Sequence, residues 1–197
     1  MKHHALWIVC FTMLMFAACR KENKQPDDTP LPVTDAEIVS PADSTLWGHL
    51  GEDTGMSALQ FITEKGDTLE LYRTDPYTGE DGRLIGNIRN YTDRYAITLS
   101  PDSESMRTAI NATQLSRKWS SAHGNIQFKS DGCIVAQDLP YKEWKLWNGH
   151  LLISSEQQHE YACVTRVDTM EITWLDEDSL VICDHIEQII KLENKRK

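Results

Sequence analysis

His159, Cys163, Cys183 and His185 are the side chains here whose types best suit metal chemistry, since imidazole nitrogen and thiolate sulfur are common zinc ligands. Their spacing works against it. A turn at Asp176-Glu177-Asp178-Ser179 pairs the segments on either side, setting Cys183 opposite a residue near Ile172 and leaving His159 far down the sheet. Zinc needs all its ligands within ~2.3 Å of one point, so no metal site is expected. The stretch from Asp75 to Gly82 holds Asp75 and Asp81 without the ligand spacing of a calcium loop, and reads as a flexible acidic loop. Gly-x-Ser-x-Gly, His-Glu-x-x-His and phosphate-cradling glycine loops are all absent. No catalytic residue and no cofactor are expected. A glycan-acting hydrolase stays as the lesser alternative, because its two carboxylates need not be neighbours in the chain. The candidate ligand-contacting residues are Trp119, Trp144, Trp147 and Trp174. Trp144 and Trp147 lie an odd number of residues apart, so one faces the core and the other is a solvent-side platform or an interface residue.

The elements that position these side chains read as strands. "MSALQFIT" and "DTLELYR" flank a glycine turn, with Leu59 and Phe61 on one face and Leu69 and Leu71 on one face. In "YTDRYAITL", Tyr95, Ile97 and Leu99 alternate with Arg94, Ala96 and Thr98, a period that buries one face only. Farther along, Asp131-Gly132 and Asn148-Gly149 separate apolar runs and predict hairpins with type I′ turns. Met170, Ile172 and Trp174 share a face that points inward with Phe128, Trp144 and Leu146. "IEQIIKLE" fits a helical stripe as well as a strand, and the scarcity of helix elsewhere favours strand. The expected fold is all-β, built from two small antiparallel units. About 80 residues in the second supply six or seven short strands, too few to imply a ligand cavity.

Five cysteines include Cys10 in the N-terminal apolar run and Cys19 at its end. Cys133, Cys163 and Cys183 sit among apolar residues and read as buried free thiols. A Cys163–Cys183 bridge is disfavoured, because those residues are not opposite one another in the meander. Thirty acidic residues against 20 basic ones give a formal charge of −10. That surface repels nucleic acid, and no basic stripe offsets it.

The chain begins with Lys2, His3 and His4, then an uncharged run from Ala5 to Ala18 in which Thr12 is the one hydroxyl residue. This is a signal-peptide pattern, too short to remain as a membrane-crossing helix. Phe16-Ala17-Ala18-Cys19 resembles the lipobox of bacterial lipoproteins, with Phe16 where Leu is usual. The resemblance implies removal of residues 1–18 and fatty acylation, palmitate included, at Cys19. Residues 19–44, with Lys, Glu, Asn, Gln, Asp and prolines, suit a lipid-anchored flexible tether. Arg20-Lys21-Glu22 lacks the aspartate associated with inner-membrane retention, which favours the outer membrane and leaves its periplasmic or exterior face open.

The stretch from "QLSRKW" through "IQFKSDGCIV", "YKEWKLWNGHLLIS" and "MEITWLDEDSLVI" resembles the lipocalin-like domain of Gram-negative envelope lipoproteins. The glycine usual two residues before the opening Trp119 is Arg117 here. By this resemblance residues 114–193 form a lipocalin-like meander or partial barrel, and residues 45–113 a small OB-like β domain. It implies a non-catalytic envelope protein that binds a small apolar ligand or a protein partner. A purely structural accessory lipoprotein is the alternative.

Overall fold

The computed structural model describes residues 42–121, 124–137, 139–159, 162–184 and 189–194. The signal segment, Cys10, Cys19 and the tether up to residue 41 lie outside the described residues. Ala42–Lys197 form one compact unit. Its described part is all-β apart from α1 (Ala112–Leu115), as the alternating runs predict.

The first sheet holds β1 (Leu46–Leu50), β2 (Ala58–Thr63), β3 (Thr68–Tyr72), β4 (Arg83–Ile85), β5 (Tyr95–Leu99) and β6 (Met106–Asn111), in the order β3-β2-β1-β5-β6-β4. Its pairs are antiparallel except β4 with β6. A parallel bridge between Tyr72 and Ser105 brings the start of β6 against the end of β3, so the sheet curls back on itself as a small barrel. Both faces of β5 are buried, contrary to the one-sided burial its period suggests. Tyr95 and Ile97 pack with Leu50, Leu59, Phe61 and Leu71, whereas Ala96 joins Ile110 in a second core. The reason is tertiary: β5 and β6 form a wall between two cores.

The second sheet holds β7 (Lys118–Ser121), β8 (Gly124–Phe128), β9 (Ile134–Ala136), β10 (Tyr141–Trp147), β11 (His150–His159), β12 (Ala162–Leu175), β13 (Ser179–Cys183) and β14 (Ile189–Glu193). Its order is β10-β11-β12-β13-β14-β7-β8-β9, all antiparallel. A bridge between Cys133 and Glu143, and the Trp144 amide donating to the Gly132 carbonyl at 2.8 Å, draw β9 to β10. Eight strands therefore form a nearly closed barrel, where six or seven were expected. Four residues suffice for β7 and three for β9, which is how so short a segment yields the extra strands. The final run is a strand, with Leu192 buried and Ile190 packed on the core.

The two predicted hairpin turns differ. Asn148 and Gly149 have φ of 49° and 83°, the pair of positive values that a type I′ turn needs. At Asp131-Gly132 only the glycine is left-handed, with φ 88°. Gly132 N–H donates to Lys129 O at 3.0 Å and Lys129 N–H to Cys133 O at 2.9 Å, a three-residue loop with glycine in the left-handed place. Asn148 also receives the chain entering the fold. Its Oδ1 accepts from Ser44 N and Oγ, its amide donates to Thr45 Oγ1, and its Nδ2 donates to Ala42 O.

Trp174 departs from the inward face assigned to it. Ile172 pairs with Ile182 but Trp174 pairs with Val181, so a bulge at Thr173 shifts the alternation by one residue. Leu175 turns inward in its place, and Trp174 is 58% exposed with Nε1 donating to Asp176 Oδ2 at 2.7 Å. Burial pushes the Asp176 carboxyl up, but donation from Trp174 and from the amides of Asp178 and Ser179 outweighs it and holds the group below the ordinary range.

Inside the barrel Phe128 is fully buried and meets Trp144 edge to face, ring centroids 5.7 Å apart. Phe128→Ala is expected to cost about 3–5 kcal/mol, read as a fall in the urea midpoint with unchanged slope.

Candidate functional site

Three places on the barrel are candidates: its interior, its mouth and a groove along its seam. Every strand sends apolar side chains inward, among them Trp119, Ile126, Phe128, Ile134, Leu146 and Leu151. Trp119, Phe128, Leu151, Ile153, Ile172 and Leu180 are 0% exposed, so no water-sized space touches them. The indole N–H groups are satisfied within the wall, Trp119 Nε1 donating to Leu115 O at 3.0 Å and Trp144 Nε1 to Lys129 O at 2.8 Å. Leu115 of α1 and Ile85 of the first sheet join the same core, where Leu175 at the end of β12 also packs.

Toward the other end the layers become polar. Leu146, Leu151 and Met170 face one another, then Trp144 and Ile153 with Asp168, then Tyr141 and Ser155 with Arg166. Ser155 is buried, and Arg166 Nε donates to Asp168 Oδ1 at 2.7 Å. Burial, and then the charges of Asp168 and Asp184, push the Tyr141 hydroxyl above the ordinary tyrosine range. A polar rim of this kind suits a polar contact better than an apolar guest.

The seam between β9 and β10 opens outward as a groove of about 370 Å³, lined by Asp131, Cys133, Glu143, Lys145, Leu152 and Val167 among others. The Asp131 charge pushes the exposed Cys133 thiol up, while donation from the Cys133 amide holds the Asp131 carboxyl down. A larger groove of about 650 Å³ lies on the first sheet beside Trp47, Glu64 and Lys65. There the Arg94 guanidinium sits 4.0 Å over the Trp47 ring and its Nε donates to Glu64 at 2.6 Å.

The sequence candidates are scattered. Trp119 and Trp144 belong to the core, Trp147 is half-buried, and Trp174 stands on the outer face. Of the four, Trp144 also lines the seam groove, and the other three line neither that groove nor the one beside Trp47. Cys133 and Cys163 are exposed rather than buried, and Cys183 is half-buried. Short apolar context misled here, because the strand alternation places both exposed thiols on the outer side. Cys163 pairs with Gln158, and Cys183 with Glu171 eight positions along β12, about 26 Å away at ~3.3 Å per residue, too far for a bridge. Among the described residues no group of three His, Cys, Asp or Glu side chains has metal-holding geometry. His185 and the side chain of His159 lie outside the described residues. Sequence reading passed over Tyr141, Ser155 and Arg166, and gave Asp168 no place at a barrel mouth. The signal was there: polar residues continuing the inward register beyond Ile153 and Met170.

Residues 111–195 match the family model described as lipocalin-like. A lipocalin-like protein from Bacteroides thetaiotaomicron VPI-5482, known from its crystal structure, is 20% identical, with 42% of this chain and 97% of that chain covered and a TM-score of 0.37. A search of curated proteins finds no significant match.

Two outcomes follow from the electrostatics. Asp131→Asn is expected to lower the Cys133 thiol's resistance to ionisation, giving faster alkylation by iodoacetamide at neutral pH than in the parent. Tyr95, buried and facing the Asp93 charge, is also pushed up from the usual 10.0, with its hydroxyl 2.9 Å from Asn87 O and 3.0 Å from Asn90 O. Because folding raises both tyrosine values, the stability linked to them is full below about pH 10 and is lost as pH rises through the folded values. The urea midpoint is expected to fall above pH 10, and less steeply in Tyr95→Phe.

Proposed function

We propose that this chain is a lipid-anchored, non-catalytic protein of the bacterial cell envelope. Cys19 moors it to the outer membrane, and its lipocalin-like domain acts through its outer surface on a protein partner. Lipocalin-like proteins commonly take small hydrophobic ligands, and the reading departs from that habit on one observation. The barrel interior is filled by its own side chains, from Trp119 at one layer to Ile153 near the mouth. A guest would have to displace side chains packed at crystal-like density. The polar mouth around Tyr141, Arg166, Asp168 and Asp184 adds a barrier to apolar entry. Membrane mooring is supported by the lipobox-like Phe16-Ala17-Ala18-Cys19 and the polar stretch that follows it.

Native mass spectrometry of the full chain purified from membranes in detergent tests both halves. The expected species starts at Cys19, carries fatty acyl mass and releases no stoichiometric small molecule. An unmodified N-terminus elsewhere overturns the anchor, and an ejected lipid or pigment overturns the closed interior. Labelling by a fatty-acid analogue is expected to vanish in Cys19→Ala.

A further inference from the structure

The hairpin of β11 and β12 outruns the barrel. β13 pairs with β12 only from Glu171 onward, while β11 pairs with it from Ala162 to Met170. Along Ala162–Met170, no described strand takes up the other edge of β12. Alternate backbone N–H and C=O groups on that side point away from β11, which is a template for one more strand. The stretch has no proline, no lysine and no bulge before Thr173, and its edge charges are Arg166 and Asp168. Val164 and Val167 are 47% and 59% exposed along the same stretch.

We propose that this edge pairs antiparallel, over Val164–Met170, with the same edge of a second copy about a two-fold axis at Val167, short of the positions from Glu171 onward that β13 holds. The segment Thr165-Arg166-Val167-Asp168-Thr169 is a charge palindrome. With the axis at Val167, each Arg166 lies opposite Asp168 of the second copy, Val167 meets its own counterpart, and Thr165 meets Thr169. These are the pairings that stabilise adjacent strands: opposite charges, β-branched pairs and Thr–Thr. Other registers that keep the same sheet face outward are worse. An axis at Arg166 sets two guanidinium groups against each other, and an axis at Asp168 sets two carboxylates together. In-register parallel pairing stacks like charge on like. Arg166 and Asp168 already touch within one chain at 2.7 Å, with side chains 60% and 24% exposed, so two copies would complete a four-charge cluster. The two-fold makes the contact isologous and closed, giving a dimer rather than a fibre.

This deepens the surface-acting reading above by naming the partner, and it rests on that reading. The two fail separately: an ejected small molecule would overturn the closed interior, whereas the test below reads only self-pairing. The full chain is kept in its native membrane, with Cys133, Cys163 and Cys183 replaced by Ser and Cys19 retained. Directly paired residues bring their Cβ atoms within about 4.5–5.5 Å, near disulfide reach. Oxidation of the Val167→Cys variant is expected to yield a covalent dimer on a non-reducing gel. Val135→Cys, equally exposed on β9 at 51%, is expected to yield none. Adding Arg166→Asp should abolish the Val167→Cys dimer, and adding Asp168→Arg as well should restore it, because the palindrome is then merely reversed. Dimer from Val135→Cys at the same level, no dimer from Val167→Cys, cross-linking only to a different protein, or no rescue by the double reversal would each overturn the proposal.

Discussion

An eight-stranded barrel made from so short a segment has one overriding constraint: its interior has room for its own side chains and little else. Large residues satisfy it. Trp119, Phe128 and Trp144 occupy the centre, with Leu146, Leu151, Ile153, Ile172 and Leu180 packed around them. Two of the three carry an indole N–H, which would be costly to bury unpaired. Each is met by a main-chain carbonyl, Leu115 O for Trp119 and Lys129 O for Trp144. The second of these also pins the turn that closes the barrel, since Gly132 and Cys133 in that turn bond to β10. Filling and closure are therefore one event.

The small N-terminal barrel is part of the same solution. It shares β5 and β6 as a wall, with Tyr95, Ile97 and Ala109 on one core and Ala96 and Ile110 on the other. Arg83 on β4 donates to the Glu171 carboxylate and to Ile172 O at 3.1 Å, joining the two sheets. Asn111 works at the same junction. Its Oδ1 caps α1 by accepting from Gln114 N, while its Nδ2 donates to Asn87 O and Asp93 Oδ2, each at 2.7 Å. A buried amide with so many partners orders the loop between β4 and β5 and the helix that carries Leu115 beneath Trp119.

Function follows from where the surface differs from a closed shell. The interior is filled by side chains and its mouth is polar, which leaves the outer face, the seam groove and the overhanging hairpin as the accessible features. Cys133 is exposed beside Asp131 in the same turn, and the carboxylate pushes the thiol up from its ordinary range. Trp174 is an apolar group exposed yet held in one pose by Asp176.

Much of this was legible in the residues themselves. The all-β class, the hairpins at Gly132 and Gly149, the pairing of Cys183 beside Ile172 and the burial of Leu59, Phe61, Phe128 and Trp144 all follow from local alternation and turn chemistry. Such features depend on residues close in sequence, where steric rules act directly. Packing decided the rest. The bulge at Thr173 sent Trp174 outward, the shared wall buried Ala96, and two three- and four-residue strands completed a ring that their own sequences hardly announce. Each of these reflects a neighbour distant along the chain, and a period of two carries no information about what stands against the second face of a strand.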